Sequence, residues 1–415
     1  MSAGGSIWRR ISRRRFLAGA SAAVAAGAAG AGVELATSGS GSWLLNVPLP
    51  AQPVGLPVRQ HAWDYTLASD SDGNKLAPRH HRLVIFNLKG TPTAGYARLL
   101  EAVLRDLERS YKWGPSGLLF TVGWSHSYFD RTLHVASPVP PPRALSDFEL
   151  PATDFYDCCL HIACDDGPRL VEVEAMLVHR LARIMVWQDT RTGFVGAGLP
   201  AANQDVGGIP PGNPVPTSSP LFMGFRSGLK KNQASEDSVT ISDGPFAQGT
   251  TQHVSHMRLD LDSWYQNLDD SQRVARMFAP QVSPKQEAAF TTDAESDPGG
   301  YNQAVNRYGV LGHSQTSARA RVNGKPIIIR RDFDTVDGGQ AGLHFVALQR
   351  SIEDFVKVRT AMNAATAQLQ NPVITSTVNN GINAFMFVTR RANYVLPSRK
   401  HRSFPLLPGR ESALD

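Results

Sequence analysis

The sequence predicts an α+β fold made of two ferredoxin-like halves, each an antiparallel sheet with packed helices. The chain has 415 residues, 42% of them hydrophobic, which is enough for a sizeable core. Its first half shows strand-type and helix-type periodicities in the order strand, helix, strand, strand, helix. The second half repeats that order more loosely, as a duplicated split βαβ unit would. A single large α+β domain remains the alternative.

In the first half, short apolar runs predict strands at 82–88, 118–122 and 158–163. Apolar residues at helical spacing between 96 and 107 predict an amphipathic helix. The segment 171–187 is predicted to be a second helix. Whether this half has a further strand stays open, and the sequence gives no position for one.

In the second half, strands are predicted at 250–261, 326–331 and 342–349, followed by a helix over 351–369. The inner side of that helix is predicted to carry Ile352, Phe355, Val356 and Met362.

Pro- and Gly-rich composition over 195–220 marks the predicted boundary between the halves. We therefore divide the chain into a signal and linker at 1–45, an N-terminal half at 46–215, and a C-terminal half at 216–415 that carries the candidate site.

The positive charge of the chain is concentrated at its start. The formal net charge is +6, from 42 Lys and Arg against 36 Asp and Glu. Residues 1–33 hold five arginines and no acid, so the remainder has 37 basic against 36 acidic residues. A nearly neutral body gives no electrostatic case for binding nucleic acid.

The arginine-rich start resembles a twin-arginine export signal. Ser12 to Leu17 matches the motif of two arginines, Arg13 and Arg14, then one variable residue, here Arg15, and then Phe-Leu. An uncharged Ala/Gly run follows to Val33. Ala18 stands where that motif often has Lys. The expectation is export by the twin-arginine machinery to an extracytoplasmic location. A transmembrane anchor is the alternative, and retention at the membrane by an uncleaved signal stays open.

Three cysteines exclude a disulfide-built scaffold and a four-cysteine zinc site. On a strand, Cys158 and Cys164 would share one face as buried small hydrophobes, and Cys159 would join His161 on the other. A Cys–His nucleophile pair stays open there. The absence of Cys-x-x-Cys-His from the sequence excludes covalent haem attachment of that type.

Two pairs of histidines are weaker candidates. His253 and His256 would bind a metal from one face only if their segment were helical, and its composition favours a strand. His80 and His81 lie between arginines and are predicted to be on a solvated surface.

Several segments, taken in order, resemble the dye-decolorizing peroxidases, a family of haem proteins with two ferredoxin-like halves in a dimeric α+β barrel-like superfamily. The resemblance covers most of residues 80–370. The matching segments are Val122–Asp130, Asp157–Asp166, Gly224–Gly228, Gly249–Thr251, Arg258–Trp264, Gly312–Ser314, Ile329–Asp332 and Gly342–Arg350.

This resemblance implies a non-covalent haem b with His313 as the iron ligand, and Arg330 as a catalytic residue that also contacts the cofactor. Gly224, Phe225, Arg226 and Gly228 would complete the cofactor site. Hydrogen peroxide and an organic electron donor are the implied partners, and a homo-oligomer stays open. The structural alternative for His313 is an ordinary loop histidine. For Arg330 it is an ion pair with Asp332 or Asp334.

Ser227 is where the chain departs from the family pattern. It occupies the catalytic position of the distal aspartate in G-x-x-D-G, and a serine hydroxyl cannot act as that base unaided. Asp237 and Asp243 follow in the chain and could supply a carboxylate. The sequence therefore leaves two functions open: an exported haem peroxidase, or a catalytically impaired haem-binding or structural protein on the same fold.

Overall fold

The structure is a computed structural model that describes residues 41–226, 228–283 and 298–415. The predicted export signal and Ser227 lie outside the described residues.

The N-terminal half is a ferredoxin-like unit. Its strands pair antiparallel in the order β2-β4-β1-β5, with the two helices of the unit connecting them. The short strand β3 pairs parallel with a strand of the other half. The elements are β1 (His80–Leu88), α1 (Ala94–Ser110), β2 (Leu119–Ser125), β3 (Ala152–Thr153), β4 (Cys158–Cys164), α2 (Gly167–Leu181) and β5 (Met185–Phe194).

The C-terminal half repeats the same strand order, β8-β9-β6-β10, with β7 also paired to β9. Its strands are β6 (Thr250–Leu259), β7 (Ile329–Arg330), β8 (Phe333–Thr335), β9 (Gly342–Gln349) and β10 (Met386–Leu396). Its helices are α3 (Leu261–Gln266), α4 (Asp270–Met277), α5 (Pro298–Gln303), α6 (His313–Ala318), α7 (Ile352–Met362), α8 (Ala365–Gln370) and α9 (Arg410–Leu414).

The two halves close into one barrel through their edge strands. β5 pairs with β8 at Phe194 and Asp334, and β2 pairs with β10 at Trp124 and Val395. Pairing each edge with the other half removes the unpaired N–H and C=O groups of an open sheet. The predicted α+β fold of two ferredoxin-like halves in a barrel is thereby confirmed.

Two of the predicted helices differ from the observed ones. The helix predicted to continue to Trp187 ends at Leu181, and Trp187 lies in β5, the strand whose position was open. The helix predicted over 351–369 is divided into α7 and α8 at Ala364, whose φ of 52° is left-handed.

The largest hydrophobic core lies between the N-terminal sheet and helices α1 and α2. The C-terminal segment is fixed to α1 by buried ion pairs: Arg402 binds both Glu101 and Glu108, and Arg399 binds Glu108. Within the described residues, no helix combines the length and the apolar character needed to cross a membrane.

Candidate functional site

The segment that contains β7 and β8 has a different role on each of its faces. Side chains alternate along a strand, so Arg330, Asp332 and Asp334 point to one face and Arg331 and Phe333 to the other. The first face is turned toward α6 and the second toward the interior of the barrel, as the contacts below show.

Arg330 is held firmly at its backbone and loosely at its guanidinium. The Gln233 side chain accepts from the Arg330 N–H at 2.7 Å and donates to its carbonyl at 3.3 Å. The only side-chain partner of the guanidinium among the described residues is Asp332, whose Oδ2 lies 4.0 Å from Nε. The Arg330 side chain is 16% exposed, and this burial lowers its pKa.

A small cavity lies beside Arg330. It has a volume of about 30 Å³ and is bounded on one side by Ser317 and Ala318 of α6 and on another by Val358 of α7. That volume suits about one water molecule. Arg330 therefore has room for about one water molecule on the side of α6.

His313 is the first residue of α6 and lies near Arg330. Burial lowers the pKa of its imidazole to about 3, and the positive charges of Arg330 and Arg359 act in the same direction. Across the described parts of the chain, the imidazole makes no hydrogen bond. His313 is therefore a neutral, half-buried imidazole whose ring nitrogens have no partner among the described residues.

Two glycines let other backbone segments approach His313 closely. A Cβ on Gly312 would lie 1.8 Å from the carbonyl oxygen of Phe278, so only glycine fits there. Gly381 has a φ of 54°, and a Cβ on it would lie 3.0 Å from the Cα of His313. These contacts fix the start of α6 from two sides.

The loop that follows Leu221 runs alongside the Arg330 segment. The Phe222 N–H donates to Asp334 Oδ2 at 2.6 Å, and the Ala234 N–H donates to the Ile328 carbonyl at 3.0 Å. With the contacts between Gln233 and Arg330, these bonds hold the two ends of the loop on the strand.

The described residues of the predicted cofactor loop have protein partners. Gly224 and Gly228 have φ values of 84° and 83°, which favour glycine. The ring of Phe225 packs edge-on against Phe278, with centroids 5.5 Å apart. Arg226 pairs with Asp70 at 3.4 Å. The loop is thus attached to the 70–75 turn as well as to the strand.

On the interior face, Arg331 binds residues of the 61–64 segment. Its Nη2 donates to the His61 carbonyl at 3.1 Å and to Glu236 Oε1 at 3.0 Å, and its guanidinium lies 4.7 Å from the centroid of Trp63. These contacts hold Arg331 on the interior face, and Arg330 lies on the opposite face of the strand.

The prediction that His81 is on a solvated surface is wrong. His81 is 1% exposed and stacks on Phe333 at 4.7 Å. Its Nε2 donates to the Pro78 carbonyl at 2.9 Å, so its Nδ1, 3.0 Å from Nε2 of His161, accepts from that ring. Both imidazoles are neutral, since burial lowers the pKa of His81 to about 3 and lowers that of His161 strongly.

The weaker candidates are structural in the described chain. His253 and His256 lie on strand β6, as expected. The His253 ring bonds to Asn393 Oδ1 and to Ser255 Oγ, each at 2.7 Å, and it stacks on Phe355. No group of three or more His, Cys, Asp or Glu within the described ranges could hold a metal ion.

Neither Cys159 nor the two downstream aspartates has the geometry of a catalytic group. Cys159 is buried, which raises the pKa of its thiol to about 12. Asp237 is 83% exposed and pairs with Arg59. Asp243 is also exposed, and it accepts from Ser242. The carboxylate beside Arg330 is instead Asp332, which the sequence had indicated only as an ion-pair partner, and Asp334 lies further along the same face.

Comparison with known proteins gives a family and a fold. The model of a family of unknown function (DUF7405) matches residues 78–398. A search of curated proteins finds no match.

Among solved structures, the chain is similar to DyP-type peroxidases. The protein from Cellulomonas bogoriensis is 17% identical, with a TM-score of 0.55 over 78% of this chain and 90% of that one. The protein from Shewanella oneidensis is 15% identical, with a TM-score of 0.54 over 78% and 94%. A variant of DypB from Rhodococcus jostii RHA1, in complex with heme, is 14% identical, with a TM-score of 0.55 over 79% and 96%. These likenesses establish the fold.

Neutral burial of His81 predicts a loss of stability in mild acid. Its folded-state pKa of about 3 lies below the unfolded value near 6.5, so the unfolded chain binds the proton first. Stability is full above about pH 6.5 and falls toward pH 3, by about 1.4 kcal/mol per pH unit for this residue.

We expect His81→Gln, which keeps an acceptor for His161, to reduce the slope of the unfolding free energy against pH between 6.5 and 5. Urea unfolding at each pH measures that slope. His179→Gln changes an exposed histidine of α2 and should keep the wild-type slope. An equal slope in all three proteins would contradict the neutral burial of His81.

Proposed function

The chain belongs to the DUF7405 family, and we propose that this member is a haem-dependent peroxidase that uses hydrogen peroxide to oxidise an organic donor. The observation that carries the proposal is the proximity of His313, a half-buried imidazole without a hydrogen-bond partner among the described residues, to Arg330, a half-buried guanidinium whose one described side-chain partner lies 4.0 Å away. Both lie on a fold shared with DyP-type peroxidases.

The residues present fit a haem by their chemistry. A histidine that ligates haem iron must be neutral and must have an available ring nitrogen, and His313 has both properties among the described residues. The sequence lacks Cys-x-x-Cys-His, so the haem would be non-covalent haem b. Haem, when bound, supplies the redox chemistry with peroxide and donor.

Arg330 would stabilise negative charge next to the haem. A partly desolvated guanidinium attracts an anion more strongly than a solvated one, and it can hold either a peroxide-derived anion or a propionate. Its backbone is fixed by Gln233, so the charge is positioned before any ligand arrives.

The loop residues have a smaller part in the proposal. Gly224, Phe225 and Gly228 would form a wall of the cofactor site. Arg226 could contact a propionate only by leaving Asp70, with which it pairs at 3.4 Å.

Serine at position 227 supports the second function, a haem-binding protein with impaired catalysis, because it stands where dye-decolorizing peroxidases have the distal aspartate. The two functions share haem binding and differ in turnover with peroxide. The experiments below separate them.

His313→Ala should weaken haem binding by at least about tenfold, because the mutation removes the axial ligand. Haem titration of the full chain, followed by the Soret band, measures the affinity. His179→Ala replaces an exposed histidine and should bind like wild type. Uptake of haem by wild type and His313→Ala with equal affinity and equal spectra would refute the ligand assignment.

Arg330→Leu should lower kcat for peroxide-dependent dye oxidation by roughly 10²–10³-fold while haem loading is retained, because the fixed charge is lost. Arg330→Lys should lose less. Arg258→Leu, which changes an exposed arginine on β6, should behave as wild type. A haem-loaded wild type with no peroxidase turnover would favour the impaired haem-binding protein instead.

We also propose export through the twin-arginine pathway, on the strength of Arg13 and Arg14 before Phe16-Leu17. Replacing both arginines by lysine keeps the charge and should abolish appearance of the protein outside the cytoplasm, measured by cell fractionation. Replacing Arg9 and Arg10 by lysine is the matched control and should leave export intact. Equal export of both variants would point to another route.

A further inference from the structure

We propose that Asp332 accepts the proton of hydrogen peroxide beside Arg330, with Asp334 as a second acid in the same row. This inference rests on the proposed function. It identifies Asp332 as the residue that would take the role of the distal aspartate of dye-decolorizing peroxidases, which this chain lacks at position 227. It concerns described residues only and does not depend on the position of Ser227.

Arg330 and Asp332 are adjacent on one face of the strand. Residues two apart on a strand point to the same side, and here Asp332 Oδ2 lies 4.0 Å from Arg330 Nε. The Asp332 side chain is 4% exposed and that of Arg330 is 16% exposed. A carboxylate and a guanidinium therefore share one largely dry surface.

The two oxygens of Asp332 have different surroundings. Oδ1 accepts from the Val346 N–H at 3.2 Å, which orients the carboxylate against β9. Oδ2 is the oxygen turned toward Arg330. A fixed carboxylate next to the cation that would receive the anion has the geometry of a general base.

Asp334 continues the row away from Arg330. Its Oδ2 accepts from the Phe222 N–H at 2.6 Å, whereas its Oδ1 is buried without a hydrogen-bond partner. Burial and the nearby charge of Asp332 raise the pKa of Asp334 well above its usual range. Asp334 is therefore favoured in its neutral form, on the same face of the strand as Asp332.

The loop contacts place this row next to the candidate cofactor loop. Phe222 is bonded at Asp334, Gln233 at Arg330 and Ala234 at Ile328, so the loop runs antiparallel to the strand. Asp332 lies between the two bonded ends of the loop.

The proposed step is a single proton transfer. An O–H bond of hydrogen peroxide breaks and an O–H bond forms on Asp332 Oδ2. The carboxylate becomes neutral, and the negative charge moves to the hydroperoxide anion, where Arg330 stabilises it. No electron changes hands in this step.

Asp332→Asn tests the role because it keeps the shape and removes the base. In the haem-loaded full chain, we expect the second-order rate of reaction with peroxide to fall by about 10²–10⁴-fold, with haem affinity within about twofold of wild type. Asp332→Glu should restore part of the rate. Asp243→Asn removes an exposed carboxylate and is the control, expected to match wild type.

The haem-free protein supplies an independent readout. Infrared difference spectroscopy should show the carbonyl band of a protonated carboxyl group in wild type that is absent from Asp334→Asn. Asp332→Asn should shift that band, because the neighbouring charge is gone, while Asp243→Asn should leave it in place.

The outcomes separate this inference from the proposed function. Wild-type rates in haem-loaded Asp332→Asn would overturn the role of Asp332 and leave the peroxidase proposal standing. If Asp332→Asn left the carboxyl carbonyl band unshifted, the proposed interaction between Asp332 and Asp334 would be overturned. A full chain that takes up no haem would overturn both proposals.

Discussion

Closure of the barrel depends on the short strand segment from Ile329 to Thr335, and the candidate site depends on that closure. β8 pairs with β5 of the N-terminal half on one side and with β9 of its own half on the other. The register is fixed from inside by the stacking of Phe333 on His81. A slip by one residue would exchange the two faces and move Arg330 into the barrel interior. The strand pairing that joins the two halves therefore also determines on which face the charged side chains lie.

Buried polar groups lie on both faces of the Ile329–Thr335 segment, and on each face some of them lack a partner among the described residues. In the interior, Arg331 has carboxylate and carbonyl partners, and His81 and His161 satisfy each other. On the site face, the described partners of His313 and Arg330 are few, and one oxygen of Asp334 has none. Unpartnered buried atoms are not confined to the site face, because Arg331 Nε and His61 Nδ1 in the interior also lack hydrogen-bond partners among the described residues.

Hydrophobic periodicity located six strands of the described chain and missed β3, β5, β8 and β10, of which β5 and β10 are the long ones. β5 contains Gln188 to Thr192, a polar run, because one side of this edge strand is partly exposed. β10 has Arg390 and Arg391 at its middle, and Arg391 is buried only because Glu149, far away in the chain, binds it at 2.7 Å. Such long-range compensation leaves no local pattern.

The same limit applied to the site. The order of motifs pointed to His313 and Arg330, and the fold brings them near each other. His81 was predicted to be exposed from its arginine neighbours, yet strand alternation turns Arg82 toward Glu174 and His81 inward. The importance of Asp334 depends on Phe222, which only the folded loop brings to it. The sequence alone could thus indicate candidate site residues such as His313 and Arg330, but it could not predict the hydrogen-bond and ion-pair partners that surround them.

The central claim is that His313 and Arg330 form one site in which His313 holds haem iron. Resonance Raman spectroscopy of the reduced, haem-loaded chain tests it most directly. We predict an iron–histidine stretching band in wild type that disappears in His313→Ala and returns when imidazole is added. An iron–histidine band that persists unchanged in His313→Ala without imidazole would contradict the account.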